Sequence, residues 1–457
     1  MLILIGISSM ACRAASASAT ASHSEPLVLR YQNQKVDADI KQAELRKVLG
    51  KLSAVTGWQI FLEPKTERTV RVRFKDLPTS EALQLILGNL NYALIPQTNR
   101  PARLLVYRTS SQEATQLVPA DLERAKRAAG KPIPNELIVS LKPGSGETIE
   151  QIAEKLGGKV IGKVDGFNAY RLQFEDEAAA NAAREALKEN SSVAGLDSNY
   201  AVDRPQPAHN LPGAGASPFS FKPKTDGSGP VVVGLIDTAV QTLDASMNSF
   251  LLSPLNVTGE SGSEAPDLTH GTSMAQTILR GLASNSEDPD GASVRILPVD
   301  VYGQNPDTTT FEIAQGIYAA IRSGATIINM SMGGEGNSEF LNAIIQDAHR
   351  HGILFFGAAG NQPTTAPVFP AAYPEVVAVT AGDKRGNIAP YANRGSFVDV
   401  MGPGVTLVDF NGQPFIVTGT SAATAYVSGT AAALAASGRP PAEVETLIRE
   451  SFRPPKR

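Results

Sequence analysis

The chain has 457 residues, 42% of them hydrophobic, which suffices for about three domains with sizeable cores. Lys and Arg number 41 against 45 Asp and Glu, a net charge of −4, so no basic field favours a nucleic-acid partner. Cys12 is the only cysteine, which excludes an intrachain disulfide and leaves stability to the core and to any bound ions.

Residues 1–12, MLILIGISSMAC, form an apolar run too short to cross a bilayer. The small residues from Ala14 to Ala19 resemble the end of a secretory signal peptide, so 1–22 reads as a signal-peptide-like segment. The expected location is therefore secreted or periplasmic, in a bacterial cell envelope. A basic start is missing, which leaves room for a true start upstream. Cys12 offers a lipid anchor as an alternative, and Ser9 counts against it by standing where a lipobox usually carries Leu. No later segment is long and apolar enough for a transmembrane helix.

Residues 27–108 alternate strand and helix patterns. Leu45, Val48, Leu49 and Leu52 keep helical spacing, and Trp58 to Leu62 reads as a strand. Thr69 to Phe74 alternates like a half-buried strand, Leu83 to Leu90 is helical, and Leu104 to Tyr107 closes a small α+β domain. The runs LRKVLGKLSAVTGWQIFL and LPTSEALQLILGNLNYALI resemble the short N-terminal domain of secretins and TonB-dependent receptors. That resemblance implies an envelope protein partner for 27–108; a plain folding module is the alternative. Residues 109–132, with Arg124, Lys126, Arg127 and Lys131, read as a polar linker.

A second α+β domain spans 133–202. Glu136 to Leu141 is a strand, Ile149 to Leu156 a helix ending at Gly157-Gly158, and Ala169 to Phe174 a strand. Glu177 to Leu187 is an Ala-rich helix, and SSVAGLDSNYAV ends the domain. Residues 203–229, rich in Pro, Gly and Ser, form a boundary of the kind where nicking concentrates, and an activation cleavage is expected there.

From 230 to 457, apolar runs alternate with helical runs, the pattern of a doubly wound parallel sheet. Val231 to Ile236 delivers Asp237 at a strand end, and His270 opens a helical run. Ser421, in Gly419-Thr420-Ser421-Ala422, sits where a strand run meets an Ala-rich helical run. Each alone reads as readily as a cap or turn residue. Together, in the order Asp, His, Ser and each on a Gly/Thr-rich element end, they are far harder to obtain by chance.

These contexts resemble the subtilisin-like (S8) serine proteases. The resemblance implies that Asp237 orients the imidazole, His270 is the general base and Ser421 the nucleophile. Ala358-Ala359-Gly360-Asn361 matches the oxyanion-hole segment, making Asn361 the donor, helped by the Ser421 backbone N–H. Ser331-Met332-Gly333-Gly334 matches the segment that lines the substrate cleft. By position, 133–202 then resembles the propeptides of such proteases, which assist folding and inhibit until cut. Three departures stand out: Ala239 replaces a glycine, Ala425-Tyr426 replaces Pro-His, and Ser273 replaces a frequent histidine.

The expected fold is α/β, a doubly wound parallel-sheet subtilisin-like catalytic domain preceded by two small α+β domains. The expected function is an exported serine endopeptidase made as a zymogen, acting on protein or peptide substrates and needing no cofactor for its chemistry. A catalytically weak protease-like protein that docks on an envelope partner is the alternative. Calcium enters only as a structural ion by family analogy. Glu287-Asp288-Pro289-Asp290-Gly291 could hold it but reads better as a surface turn, and His349 and His351 lack metal-ligand spacing.

Overall fold

A computed structural model describes residues 27–32, 35–97, 100–114, 116–118, 130, 132–205, 209–210, 219–224, 231–259, 267–383 and 385–455. The signal-peptide-like segment with Cys12 and much of the 203–229 boundary lie outside them.

The N-terminal module packs two helices against two small sheets. Leu45, Val48, Leu49 and Leu52 line the buried face of helix Leu45–Thr56, which ends at Gly57 with φ 72°. That left-handed conformation favours glycine. Strand Gln59–Leu62 lies between Arg100–Tyr107, parallel to it, and Gln116–Val118, antiparallel. Residues 116–118 fall in the stretch the sequence assigns to a linker. They complete the sheet instead, because Val118 pairs with Ile60 and is buried in the same core.

The middle module has an antiparallel sheet in the order Asp307–Thr309, Val193–Asp203, Pro132–Leu141, Ala169–Gln173, Lys159–Val164. Helix Ile149–Lys155 opens with a reciprocal capping box between Thr148 and Gln151, and Asp176 caps Glu177–Lys188. Leu137, Val139 and Leu172 pack beneath these helices. Because strand side chains alternate, Ile138, Val164, Ala169 and Val202 join the core of the C-terminal module. The fifth strand, Asp307–Thr309, also belongs to that module. Two successive units thus share a sheet and a core.

The C-terminal module is a seven-stranded parallel sheet. Its order is Leu255–Asn256, Val294–Asp300, Val231–Asp237, Ile327–Met330, Leu354–Ala358, Val376–Gly382, Val400–Pro403. Chain order reverses around Val231–Asp237, and the crevice at such a switch point is where α/β sheets bind ligands. Helices Thr310–Arg322 and Glu339–Arg350 cover one face. Helices His270–Asn285 and Thr420–Ala436 share the core on the other. A Cβ on Gly429 would come within 2.0 Å of the Ile278 carbonyl oxygen, and one on Gly281 within 2.2 Å of the Tyr426 carbonyl oxygen. The two helices can touch backbone to backbone only because both positions are glycine.

Candidate active site

Asp237 ends its strand fully buried, and His270 is the first residue of its helix. The His270 Nδ1 lies 2.9 and 3.0 Å from the two Asp237 carboxylate oxygens. A carboxylate there keeps a proton on Nδ1 and leaves Nε2 to exchange one with a neighbour. The start of the His270 helix is clamped to the loop after Asp237. The Gly271 amide donates to Thr238 Oγ1 at 2.8 Å, and Thr269 Oγ1 donates to the Ala239 carbonyl at 2.7 Å. Gln241 accepts the Thr269 amide at 2.9 Å and donates its own amide to Thr272 Oγ1 at 2.8 Å. Gly271 is required by closeness, since a Cβ there would lie 2.0 Å from the Thr238 carbonyl oxygen. Ala239 contributes a carbonyl and needs no left-handed backbone, so the missing glycine leaves this clamp intact.

Ser421 is the second residue of helix Thr420–Ala436, reached through a two-residue hairpin at Asn411-Gly412 and through Gly419, whose φ of 145° favours glycine. Its hydroxyl donates to the Ser331 carbonyl at 3.0 Å. The Ser331 hydroxyl returns a bond to the Ser421 carbonyl at 3.1 Å and accepts one from Asn329 Nδ2 at 3.0 Å. Ser428, two turns further along the helix, donates to Asn329 Oδ1 at 2.9 Å. The helix start is thereby laced to the end of the Ile327–Met330 strand. The other departures stay clear of this geometry. Tyr426 packs edge-on against Phe452, and the Ser273 hydroxyl donates to Thr269 within its own helix.

Asn361 follows Gly360, whose φ is 104°. Its Oδ1 accepts the Thr420 amide at 2.9 Å and the Thr420 hydroxyl at 3.1 Å. With the oxygen so engaged, Nδ2 is the group left to donate, and it faces Gly419. An amide donor beside the N-terminus of the Ser421 helix suits a developing negative charge. The four cleft residues divide. Ser331 anchors the Ser421 turn and Met332 is buried. A Cβ on Gly333 would meet Val368 at 2.7 Å. Gly334 spends both backbone groups on Phe369, at 2.9 and 2.8 Å. It braces the wall of the cleft, where the sequence suggests a glycine that pairs with a peptide.

The end of the middle module lies between Gly334 and the Asp307–Thr309 strand. Ala201, Val202 and Asp203 pair with Thr309, Thr308 and Asp307, and the Arg204 amide donates to the Pro306 carbonyl at 2.9 Å. On the other side, a Cβ on Gly334 would be 3.7 Å from the Ala201 carbonyl oxygen. The Arg204 guanidinium bonds the carbonyls of Gly303 and Asn305 and stacks over the Tyr302 ring at 5.5 Å. Burial pushes the Tyr302 hydroxyl well above its ordinary pKa. It therefore stays protonated and donates to the Asp203 carbonyl at 3.2 Å.

Two acids of the turn at 287–291 are paired with cations. Asp288 pairs with Lys224, whose hydrogen bond holds its pKa below the usual carboxylate range, and Glu287 pairs with Arg439 at 3.1 Å. His349 faces Glu445 at 3.4 Å, and the His351 ring meets the Asp347 carbonyl at 2.8 Å. Among the described residues, no three His, Cys, Asp or Glu side chains gather as a metal site, and no helix is long and apolar enough to cross a membrane. Gln241, Asn329 and Thr420 are not legible in the sequence as site residues. The one signal for Thr420 is its place beside Ser421; for the rest, a buried asparagine or glutamine reads in sequence like any turn residue.

The Subtilase family profile matches residues 228–452, and a Fervidolysin N-terminal prodomain profile matches 119–195. Residues 27–108 lie outside both. The chain is similar to subtilisin E of Bacillus subtilis, 30% identical over 299 residues that cover 62% of this chain and 74% of that one. It is likewise similar to a thermophilic serine proteinase of Bacillus sp. strain AK1, 30% identical over 238 residues, or 50% of this chain and 57% of that protein. Among solved structures, fervidolysin from Fervidobacterium pennivorans superposes with a TM-score of 0.53 at 19% identity, covering 68% of this chain and 56% of that one. The match therefore spans little more than half the length of the last two.

Proposed function

This chain belongs to the subtilase family and carries a prodomain, and from that premise we propose that it is an exported serine endopeptidase made as a zymogen. The observation that supports the triad most directly is the His270 ring held by both oxygens of the buried Asp237, at 2.9 and 3.0 Å. In this reading His270 Nε2 takes the Ser421 proton as the hydroxyl attacks a peptide carbonyl, and Asp237 stabilises the imidazolium that forms. The tetrahedral oxyanion is met by Asn361 Nδ2 and the Ser421 backbone N–H. Protonated His270 then gives its proton to the leaving amine, and water repeats the sequence on the acyl-enzyme.

The zymogen reading is supported by the strand Val193–Asp203, whose end lies between Asp307–Thr309 and the Gly334 wall. A chain laid there excludes a substrate until it is cut. Residues Phe219 to Lys224 limit where the cut can fall. Phe221 is buried and stacks on Phe250, and Lys222–Pro223 pairs with Gly291–Ala292. A mature enzyme that keeps this packing is cleaved before Phe219. An envelope contact through residues 27–108 and export itself rest on the sequence pattern alone.

The test compares the full chain with Ser421→Ala, followed by intact mass and by fluorophosphonate labelling. The expected result is that only the unsubstituted chain loses about its first 200 residues, labels at Ser421 and degrades casein. A chain that stays whole and unlabelled, even after its prodomain is trimmed by another protease, would overturn the protease reading in favour of peptide binding.

A further inference from the structure

Asn393 is 1% exposed and lies between the Val376–Gly382 strand and the Asn361 loop. All four of its polar groups are engaged, and three of them reach the backbone on either side of Asn361. Its Nδ2 donates to the Ala359 carbonyl at 2.8 Å, and its Oδ1 accepts the Gln362 amide at 3.0 Å. Its backbone N–H donates to the Gly360 carbonyl at 2.9 Å. The fourth group, its carbonyl, accepts the Thr380 hydroxyl at 2.6 Å, which moors the residue to the sheet. A Cβ on Gly360 would lie 2.6 Å from Asn393 Nδ2, so the side chain packs directly beneath the turn that presents Asn361.

We propose that Asn393 is the positioning residue of the oxyanion donor, and the assignment rests on the serine-protease reading above. Asn361 is fixed from two directions. Thr420 grips its side-chain oxygen, while Asn393 sets the backbone of residues 359, 360 and 362. A carboxamide is suited to this place because one planar group supplies both the donor for Ala359 and the acceptor for Gln362. An aspartate keeps the shape and the acceptor but loses the donor, and its charge repels the Ala359 carbonyl. A shift of the loop moves Asn361 Nδ2 off the point where the oxyanion forms. That lowers the stabilisation available only in the transition state, a loss that falls on kcat.

The test makes Asn393→Asp in the full chain and in full-length Asn361→Gly, with rates on a peptide anilide normalised to fluorophosphonate-titrated Ser421. The expected loss in the Asn361 background is about tenfold or more in kcat with KM within about twofold, while in the Asn361→Gly background the same change costs less than about twofold. A peptide boronic acid should lose affinity in parallel with kcat. Asn393→Ser serves as the second variant should the aspartate not fold. Equal losses in both backgrounds, a loss carried by KM, or no loss would each overturn the assignment. An unsubstituted chain that neither labels nor turns over overturns the protease reading, and this assignment with it.

Discussion

Asn199 adds to the cap that Thr309 gives a helix of another module: its Oδ1 accepts the Phe311 amide at 3.1 Å, at the start of Thr310–Arg322. The same oxygen accepts the Thr310 hydroxyl at 3.1 Å, and its Nδ2 donates to Glu136 at 2.8 Å. Two residues earlier, Asp197 does likewise for the next helix, accepting the Phe340 amide at 3.0 Å and the Ser338 hydroxyl at 2.7 Å. Helix N-termini have unpaired amides and favour such partners, so the prodomain strand is matched to the two helices it covers.

Asn199→Ala is expected to weaken that contact by about 1–2 kcal/mol, the usual worth of a cap. Hydrogen exchange on the full-length Ser421→Ala chain should show faster exchange in strands Pro132–Leu141 and Val193–Asp203. Unchanged protection would mean that the shared apolar face with Val202 and Phe311 holds the module alone.

Asp237→Asn leaves the shape of the site but removes the charge that keeps the proton on His270 Nδ1. The expected fall in kcat is about 10⁴-fold, with the fold unchanged by circular dichroism. A small loss would show that Asp237 is a structural partner of the His270 helix and no part of the chemistry.

Gly429→Ala should be among the more damaging single-methyl changes in the chain, because the new carbon meets the Ile278 carbonyl and not a side chain that can turn away. A loss of about 1–3 kcal/mol is expected, read as a lower melting temperature.

Glu63 provides a pH test of the N-terminal module. Burial pushes its carboxyl up, but amide bonds from Thr109 and Arg108 and the Arg108 guanidinium outweigh this and set it below the ordinary value. A lowered folded pKa means that the unfolded chain takes up the proton first. The stabilisation is therefore complete above the unfolded value of about 4.3 and is lost as pH falls through the folded value. Glu63→Gln should cost about 1–3 kcal/mol at neutral pH and converge with the unsubstituted chain in acid. Parallel melting curves across that range would assign the role of Glu63 to packing.

Much of the candidate site is legible in the sequence because its parts are local. An apolar run that ends in Asp237, a capped helix that opens on His270 and a glycine turn into Ser421 each declare an element and its end within a few residues. Helical and alternating periods likewise marked the parallel sheet and both small modules, since burial of one face imposes the period directly. What only the tertiary structure decided are relationships between distant positions. Asn393 beneath the Asn361 loop, Gln241 bridging two loops and Asn199 on a foreign helix are ordinary polar residues in sequence, and only burial beside unpaired backbone groups gives them work. Gly334 and strand Gln116–Val118 are the same case: a glycine and a Gln-Leu-Val tripeptide acquire a role from the strand or loop that happens to lie opposite. Local pattern sets where a chain can turn and which face it hides. Hydrogen bonds across the fold set which polar group ends up at the chemistry.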